Sequence, residues 1–280
     1  MAVTALTAVR SCGVTTLTTA LAATWPAGRR VLLAELDPAG ATLAAGSGWA
    51  PEPGLVSLAA AARRGGDPTL VWEHCQELPG GVSVLAGPSS ADHARTALGM
   101  LGPLLARLGE LDADVLADCG RLDPGADFGT LAVADRMVLV ARPCLADLHA
   151  LATWRENHPL DARNLGLVLI GDGPYPDDEI AEALGVEVLA RLPWDPAAAD
   201  ALVSVPASAR DLRFAPLVRA ARTLTDRLAT PAALPETTGT AATEPGVAEA
   251  GRLRLRVLRG RRAVPAEPSA NGNTPEGVGR

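Results

Sequence analysis

The chain contains no lysine, and all 25 of its basic residues are arginine. Schiff-base catalysis is excluded with it, and so is any phosphate site built on an ammonium group. The accompanying wealth of Arg, Ala, Gly and Pro is what GC-rich coding produces without functional selection. Cysteine is sparse: Cys12, Cys75, Cys119 and Cys144 stand far apart with no C-x-x-C pair, which argues against a disulfide scaffold or a zinc ribbon and for reduced thiols. No apolar run reaches the roughly 18 residues of a membrane-spanning helix, and no charged-then-apolar leader follows Met1. The expectation is a soluble cytoplasmic protein, with peripheral association at a membrane or nucleoid left open.

Aromatic residues make up only 3% of the 280 residues, yet 48% are hydrophobic, so a core must be assembled from aliphatic side chains. The net charge of −7 argues against non-specific nucleic-acid binding by the whole surface, which needs clustered positive charge. The charge is unevenly placed. Residues 230–280 hold seven Arg and five Glu, have no aromatic residue and are dense in Pro, Gly, Thr and Ala. Such a segment cannot bury enough apolar surface to offset chain entropy, and it reads as a disordered tail behind a domain of residues 1–229. Within it Arg252, Arg254, Arg256, Arg259, Arg261 and Arg262 interleave with Leu253, Leu255, Val257 and Leu258. This cluster suits an anionic lipid surface, nucleic acid or an acidic partner, the plainer alternative being a solvated basic tract.

The first 229 residues alternate short apolar runs with helical patterns. Strands are expected at 3–9, 30–36, 82–86, 114–118, 137–141, 165–170 and 186–191, and helices at 15–24, 55–64, 90–108, 146–157, 177–184, 196–203 and 214–228. Uniformly apolar strands separated by helices predict an α/β fold, a doubly wound, mainly parallel sheet with helices on both faces. Ligands of such sheets bind at the carboxyl ends of the strands.

Three strand ends carry polar residues of interest. The first strand runs into Val9-Arg10-Ser11-Cys12-Gly13-Val14-Thr15-Thr16, a loop that opens a helix, whose free N–H groups can hold a phosphate while a threonine hydroxyl reaches a magnesium ion. The second ends in Glu35-Leu36-Asp37-Pro38-Ala39-Gly40 and the third in Asp118-Cys119-Gly120, where a phosphate-bound magnesium needs an acid. Each feature alone also suits a plain capped loop. Other chemistries find less support: the four histidines are scattered without metal spacing, Ser89 and Ser90 lack a nucleophile elbow, and Asp114 and Asp118 lie at opposite ends of one strand. No G-x-G-x-x-G follows the first strand, against a dinucleotide-binding Rossmann domain.

Taken in order, these residues resemble the ParA/MinD family of deviant-Walker P-loop ATPases, which position chromosomes, plasmids, division sites and secretion machines. The resemblance spans about residues 1–229. The family loop reads K-G-G-x-G-K-T-T, and Val9 to Thr16 stand at those positions, keeping Gly13, Thr15 and Thr16 and losing both lysines and the glycine pair. Glu35 and Asp37 match the D-x-D of the next strand, followed by Pro38 and Gly40; Asp118 matches the Walker B aspartate. Asp135 opens a segment like A-D-x-V-I-L-V, and Leu192-Pro193-Trp194-Asp195 resembles the late L-P-x-D near the nucleotide base, while Gly171 stands where many members carry asparagine.

The resemblance implies ATP and Mg2+ as cofactors, a family-type homodimer and a protein partner. It assigns nucleotide contacts to Arg10, Ser11, Cys12, Gly13, Val14, Thr15, Thr16, Pro193 and Asp195, metal binding to Thr15, Asp37 and Asp118, and catalysis, if the protein is active, to Asp37 and Glu35. The missing lysines speak against activity, since each such contact stabilises transition-state charge. Arg10 is the nearest cation in the loop, with a fork suited to phosphate but a bulk that occupies a glycine position. The expectation is a weak nucleotide binder or non-hydrolysing scaffold of intracellular spatial organisation, the alternative an active Mg-ATPase switch.

Overall fold

A computed structural model of the chain describes residues 1–63, 66–122, 133–158, 164–203 and 212–230. The arginine cluster of the tail and the rest of the segment after Thr230 lie outside them.

Eight strands form one sheet: β1 (Val3–Ala8), β2 (Val31–Glu35), β3 (Gln76–Leu78), β4 (Val82–Leu85), β5 (Asp114–Arg121), β6 (Arg136–Ala141), β7 (Leu165–Ile170) and β8 (Glu187–Leu192). Their order is β3-β4-β2-β5-β1-β6-β7-β8, and every pairing is parallel except β3 with β4. The helices are α1 (Val14–Ala23), α2 (Leu43–Gly46), α3 (Leu55–Ala62), α4 (Ala91–Leu105), α5 (Leu145–Asn157), α6 (Asp177–Leu184), α7 (Pro196–Val203) and α8 (Pro216–Ala229). None of the described helices is long and apolar enough to cross a membrane. The doubly wound, mainly parallel α/β architecture expected from the alternating runs is the one observed.

Successive strand residues feed opposite faces, as the two-residue period requires. Leu6, Leu33, Leu116, Val138 and Val168 point to one side, where Leu17 and Leu21 of α1, Leu202 of α7 and Leu217, Leu224 and Leu228 of α8 cover them. On the other side Ala5, Leu32, Ala34, Val115 and Ala117 meet Leu58 of α3 and Leu101 and Leu104 of α4, and Met137, Leu139 and Leu167 meet α5 and α6. Each fully buried leucine contributes about 1.5–3 kcal/mol, so the aliphatic core supplies what few aromatics cannot. α1 is bound at its end as well: Thr24 Oγ1 donates to the Ala20 carbonyl at 2.7 Å and lies 3.0 Å from Thr225 Oγ1 of α8.

The ends of elements depart from expectation in informative places. β5 runs three residues beyond Asp118, because Ala8 pairs with Arg121 across an irregularity in β1 and Leu122 N donates to the Ala8 carbonyl at 2.8 Å. α8 begins at Pro216, two residues after Phe214, since a proline ring preset for the first helical turn defines the start. β3, an antiparallel edge strand of three residues, is too short to show a period. His74 ends a 3-10 helix (Pro68–His74), half-buried, with Nδ1 2.8 Å from Ser57 Oγ.

Candidate functional site: the carboxyl edge of the central strands

The loop after β1 reaches α1 through Gly13, whose φ of +100° is left-handed backbone that favours glycine. The side chains flanking it face in different directions. Val14, at the position of the family's P-loop lysine, is only 6% exposed and packs in the core with Leu17 and Leu21. Val9, at the other lysine position, is half-buried against the cluster under α5 and α6. Cys12 is buried and donates its Sγ hydrogen to the Val140 carbonyl at 3.2 Å, and burial pushes its thiol up to about 12, so it is neutral. Ser11, Gly13 and Thr16 are left to face outward.

Thr15 turns the other way, toward the Asp118 carboxylate. Asp118 lies in β5 between Leu6 of β1 and Glu35 of β2, 1% exposed, and accepts from Gly120 N at 2.9 Å. Burial raises its carboxyl to about 6, against the Thr15 hydroxyl and the Gly120 hydrogen bond, with the nearby Asp37 charge adding to the rise. Asp37 lies against the backbone of Gly120: a Cβ there would stand 1.9 Å from Asp37 Oδ2, and the φ of +58° is itself a glycine conformation. Burial raises the Asp37 carboxyl, opposed by its hydrogen bond from Ala39 N and by the charge of Arg121. Thr15, Asp37 and Asp118 are thus brought together beside the first turn of α1. Among the described residues no cluster of three or more His, Cys, Asp or Glu side chains can hold a metal alone. That fits a magnesium site of the nucleotide kind, where hydroxyl, phosphate and water complete the oxygens that one or two carboxylates begin.

Glu35 is placed differently. It is 2% exposed, and its Oε1 accepts from Leu43 N at 3.1 Å and Thr42 N at 3.3 Å while Oε2 accepts from Gly87 N at 3.1 Å. Burial raises it to about 7 despite these bonds. Its carboxyl clamps the start of α2 to the end of β4, which is a structural use of the side chain.

On the other side of the loop a cavity of about 250 Å³ separates Ser11, Cys12, Gly13 and Thr16 from Pro193, Trp194 and Asp195, with Ile170 and Leu217 supplying apolar wall. Ser11, Cys12, Gly13 and Thr16 of the early loop and the late segment 193–195 therefore line one space although some 180 residues separate them, while Arg10, Val14 and Thr15 are not part of its lining. Asp195 is fixed there by two helix starts, accepting from Ala198 N of α7 at 3.1 Å and from Leu217 N of α8 at 3.4 Å. Arg191, two residues before Pro193, ties the end of β8 to the loop after β7 through the Gly171 carbonyl at 3.3 Å, the Tyr175 carbonyl at 3.0 Å and Asp177.

Sequence reasoning missed Arg142, which lines this cavity; Asp147, which binds Arg142; Arg121, which faces Asp37; and the exposed ring of Trp194. Arg142 follows the last residue of β6, so its strand-end position was a usable signal. Asp135 has a structural use, accepting from Val3 N at 2.8 Å.

Solved structures share this fold. A ParA family ATPase from Chlorobium tepidum superposes with a TM-score of 0.67 at 16% identity, over 80% of this chain and 98% of its own. The cell division ATPase MinD of Pyrococcus furiosus gives 0.61 at 22% identity, over 81% and 98%. The fold is that of the ParA and MinD ATPases. MinD of Pyrococcus horikoshii, solved with Mg-ADP, is similar at a TM-score of 0.57 and 19% identity, over 82% of this chain and 96% of its own. No protein-family model and no curated protein matches the sequence. The ParA/MinD-like fold thus rests on spatial arrangement, and it contains the loop, the acids and the cavity at one edge.

Proposed function

We propose that this protein binds a magnesium nucleotide, ATP by class, in the cavity beside α1 and does not hydrolyse it at an appreciable rate. The observation that carries the reading is that Ser11, Gly13 and Thr16 share a cavity with Pro193 and Asp195, while both positions of the family's lysines are filled by valines packed in apolar clusters. In the proposal Thr15, Asp118 and Asp37 hold the magnesium ion, and the N–H groups at the start of α1 face the phosphates. The nucleotide, when bound, supplies phosphate oxygens to complete the metal's shell. Asp195 keeps the far wall of the cavity in place, and buried Cys12 contributes no charge.

Its cellular task in this reading is that of a ParA/MinD-like scaffold in intracellular spatial organisation, working in the cytoplasm through a homodimer or a protein partner. The association of Thr15, Asp37 and Asp118 favours a second reading, an active Mg-ATPase switch on the same fold, because it retains the metal-binding half of the machinery. Calorimetric titration with a non-hydrolysable ATP analogue, with and without Mg2+, tests the binding common to both. Saturable binding strengthened by Mg2+ supports it, and no heat at millimolar analogue contradicts it.

A further inference from the structure

We infer that Arg142, oriented by the buried carboxylate of Asp147, is the cation that meets the phosphates of a nucleotide in this cavity. The inference deepens the nucleotide reading and rests on it. Arg142 is the one cation among the described residues lining the cavity, which Ser11, Gly13, Thr16, Trp194 and Asp195 also line. Its guanidinium is fixed from behind. Nε donates to Asp147 Oδ2 at 2.9 Å, Nη2 to Oδ1 at 3.4 Å, and the Arg142 backbone N to Oδ2 at 3.4 Å. Asp147, in the first turn of α5, has a side chain only 3% exposed, whereas that of Arg142 is 49% exposed. One face of the fork is therefore engaged and the other is open. Nη1 makes no hydrogen bond among the described residues, so its two donors are available to a ligand.

Arg142 does not have the Asp147 carboxylate to itself. Arg10 Nε also faces Asp147, 3.8 Å from Oδ1, so two guanidiniums share one carboxylate. Asp195, the acid on the far wall, has both oxygens occupied by helix N–H groups, and the Cys12 thiol is neutral. The open face of Arg142 and the start of α1, whose first turn has no acid, border the same cavity, so a cation and a helix end act together on an anion there. Anchoring by Asp147 also removes part of the rotamer entropy that a free arginine loses on binding. Arg10, exposed and held only loosely, is the weaker of the two.

The test is the affinity of the full chain for two probes: a non-hydrolysable MgATP analogue followed by calorimetry, and adenosine, which lacks phosphate, followed by ligand-observed NMR. Arg142→Ala is expected to weaken the analogue roughly 10- to 100-fold, the worth of a hydrogen bond to a charged group, and to change adenosine binding less than about twofold. Arg142→Lys is expected to recover part of the loss, and to steepen the salt dependence relative to Arg142→Ala. Arg142→Gln, which keeps a donor for Asp147, covers the case in which the alanine variant does not fold, and is expected to show the same selective loss. Unchanged analogue affinity in the folded variants, or equal losses for both probes, overturns the role of Arg142 alone. Absence of analogue binding by the unaltered protein overturns the nucleotide reading and this inference together.

Discussion

Thr15, in the first turn of α1, lies beside Asp118 of β5 and favours its ionised form, and Asp37 closes on the same point from the end of β2. Two neighbouring parallel strands on one side of β1, β5 and then β2, deliver acids to the spot where its loop turns into a helix. The acids are buried in a way that makes their protonation part of the account.

Asp118 and Glu35 are raised to about 6 and about 7 by burial. Both bind a proton more tightly folded than unfolded. Their contribution to stability is therefore complete below the ordinary carboxylate range and is lost as pH rises through about 6 to 7, a change on the order of a few kcal/mol. Urea denaturation of the unaltered protein and of Asp118→Asn between pH 5 and 7.5 checks this: the variant is expected to lose less stability over that range. Parallel pH profiles would contradict it.

Glu35 separates a structural from a catalytic role. Glu35→Ala leaves three backbone N–H groups at the start of α2 and the end of β4 without their acceptor, which costs about 2–4 kcal/mol. A thermal melt is expected to show a drop of many degrees. An unchanged melt with altered nucleotide chemistry would assign the side chain to the reaction.

Asp195 caps α7 and α8 at once, so Asp195→Ala is expected to destabilise the fold by about 1–2 kcal/mol and to weaken binding in the cavity. Asp195→Asn keeps an acceptor for only one of the two N–H groups and turns a donor toward the other, so its stability is expected to fall between those of the unaltered protein and the alanine variant. Denaturant midpoints for the three proteins decide the point.

Val14→Lys places a charged head on a side chain that packs with Leu17 and Leu21. The expectation is a loss of about 1–3 kcal/mol in stability and no gain of hydrolysis, because Arg10 and Ser11 still occupy the glycine positions of the loop. A folded variant with ATPase activity well above that of the unaltered chain would show that the backbone already has the shape of an active P-loop.

How far the sequence carried the account differs between elements. β1, β2, β5 and β6 were legible because both their faces are buried and their interiors are apolar apart from Thr4 and Thr7 of β1, and the loop and acids at their ends were visible as polar residues closing apolar runs. The extension of β5 to Arg121 was not, because it depends on Gly120 taking a positive φ under the Asp37 carboxylate. The clamp made by Glu35 depends on N–H groups at 42, 43 and 87, whose nearness only the folded chain reveals. Arg142 and Asp147 are five residues apart across a strand-to-helix turn, and no periodicity marks such a pair.

The most direct test of the central claim is a single-turnover incubation, with protein in excess over ATP and Mg2+ present, followed by recovery and quantification of the nucleotide retained on the protein. Loss of one transition-state donor costs ~10²–10³ in rate, and two lysine contacts are absent. The account predicts that intact ATP is recovered bound after a time in which an active relative would have converted it. Recovery of ADP, formed at a rate that Asp118→Ala abolishes, would contradict it and make the protein an ATPase.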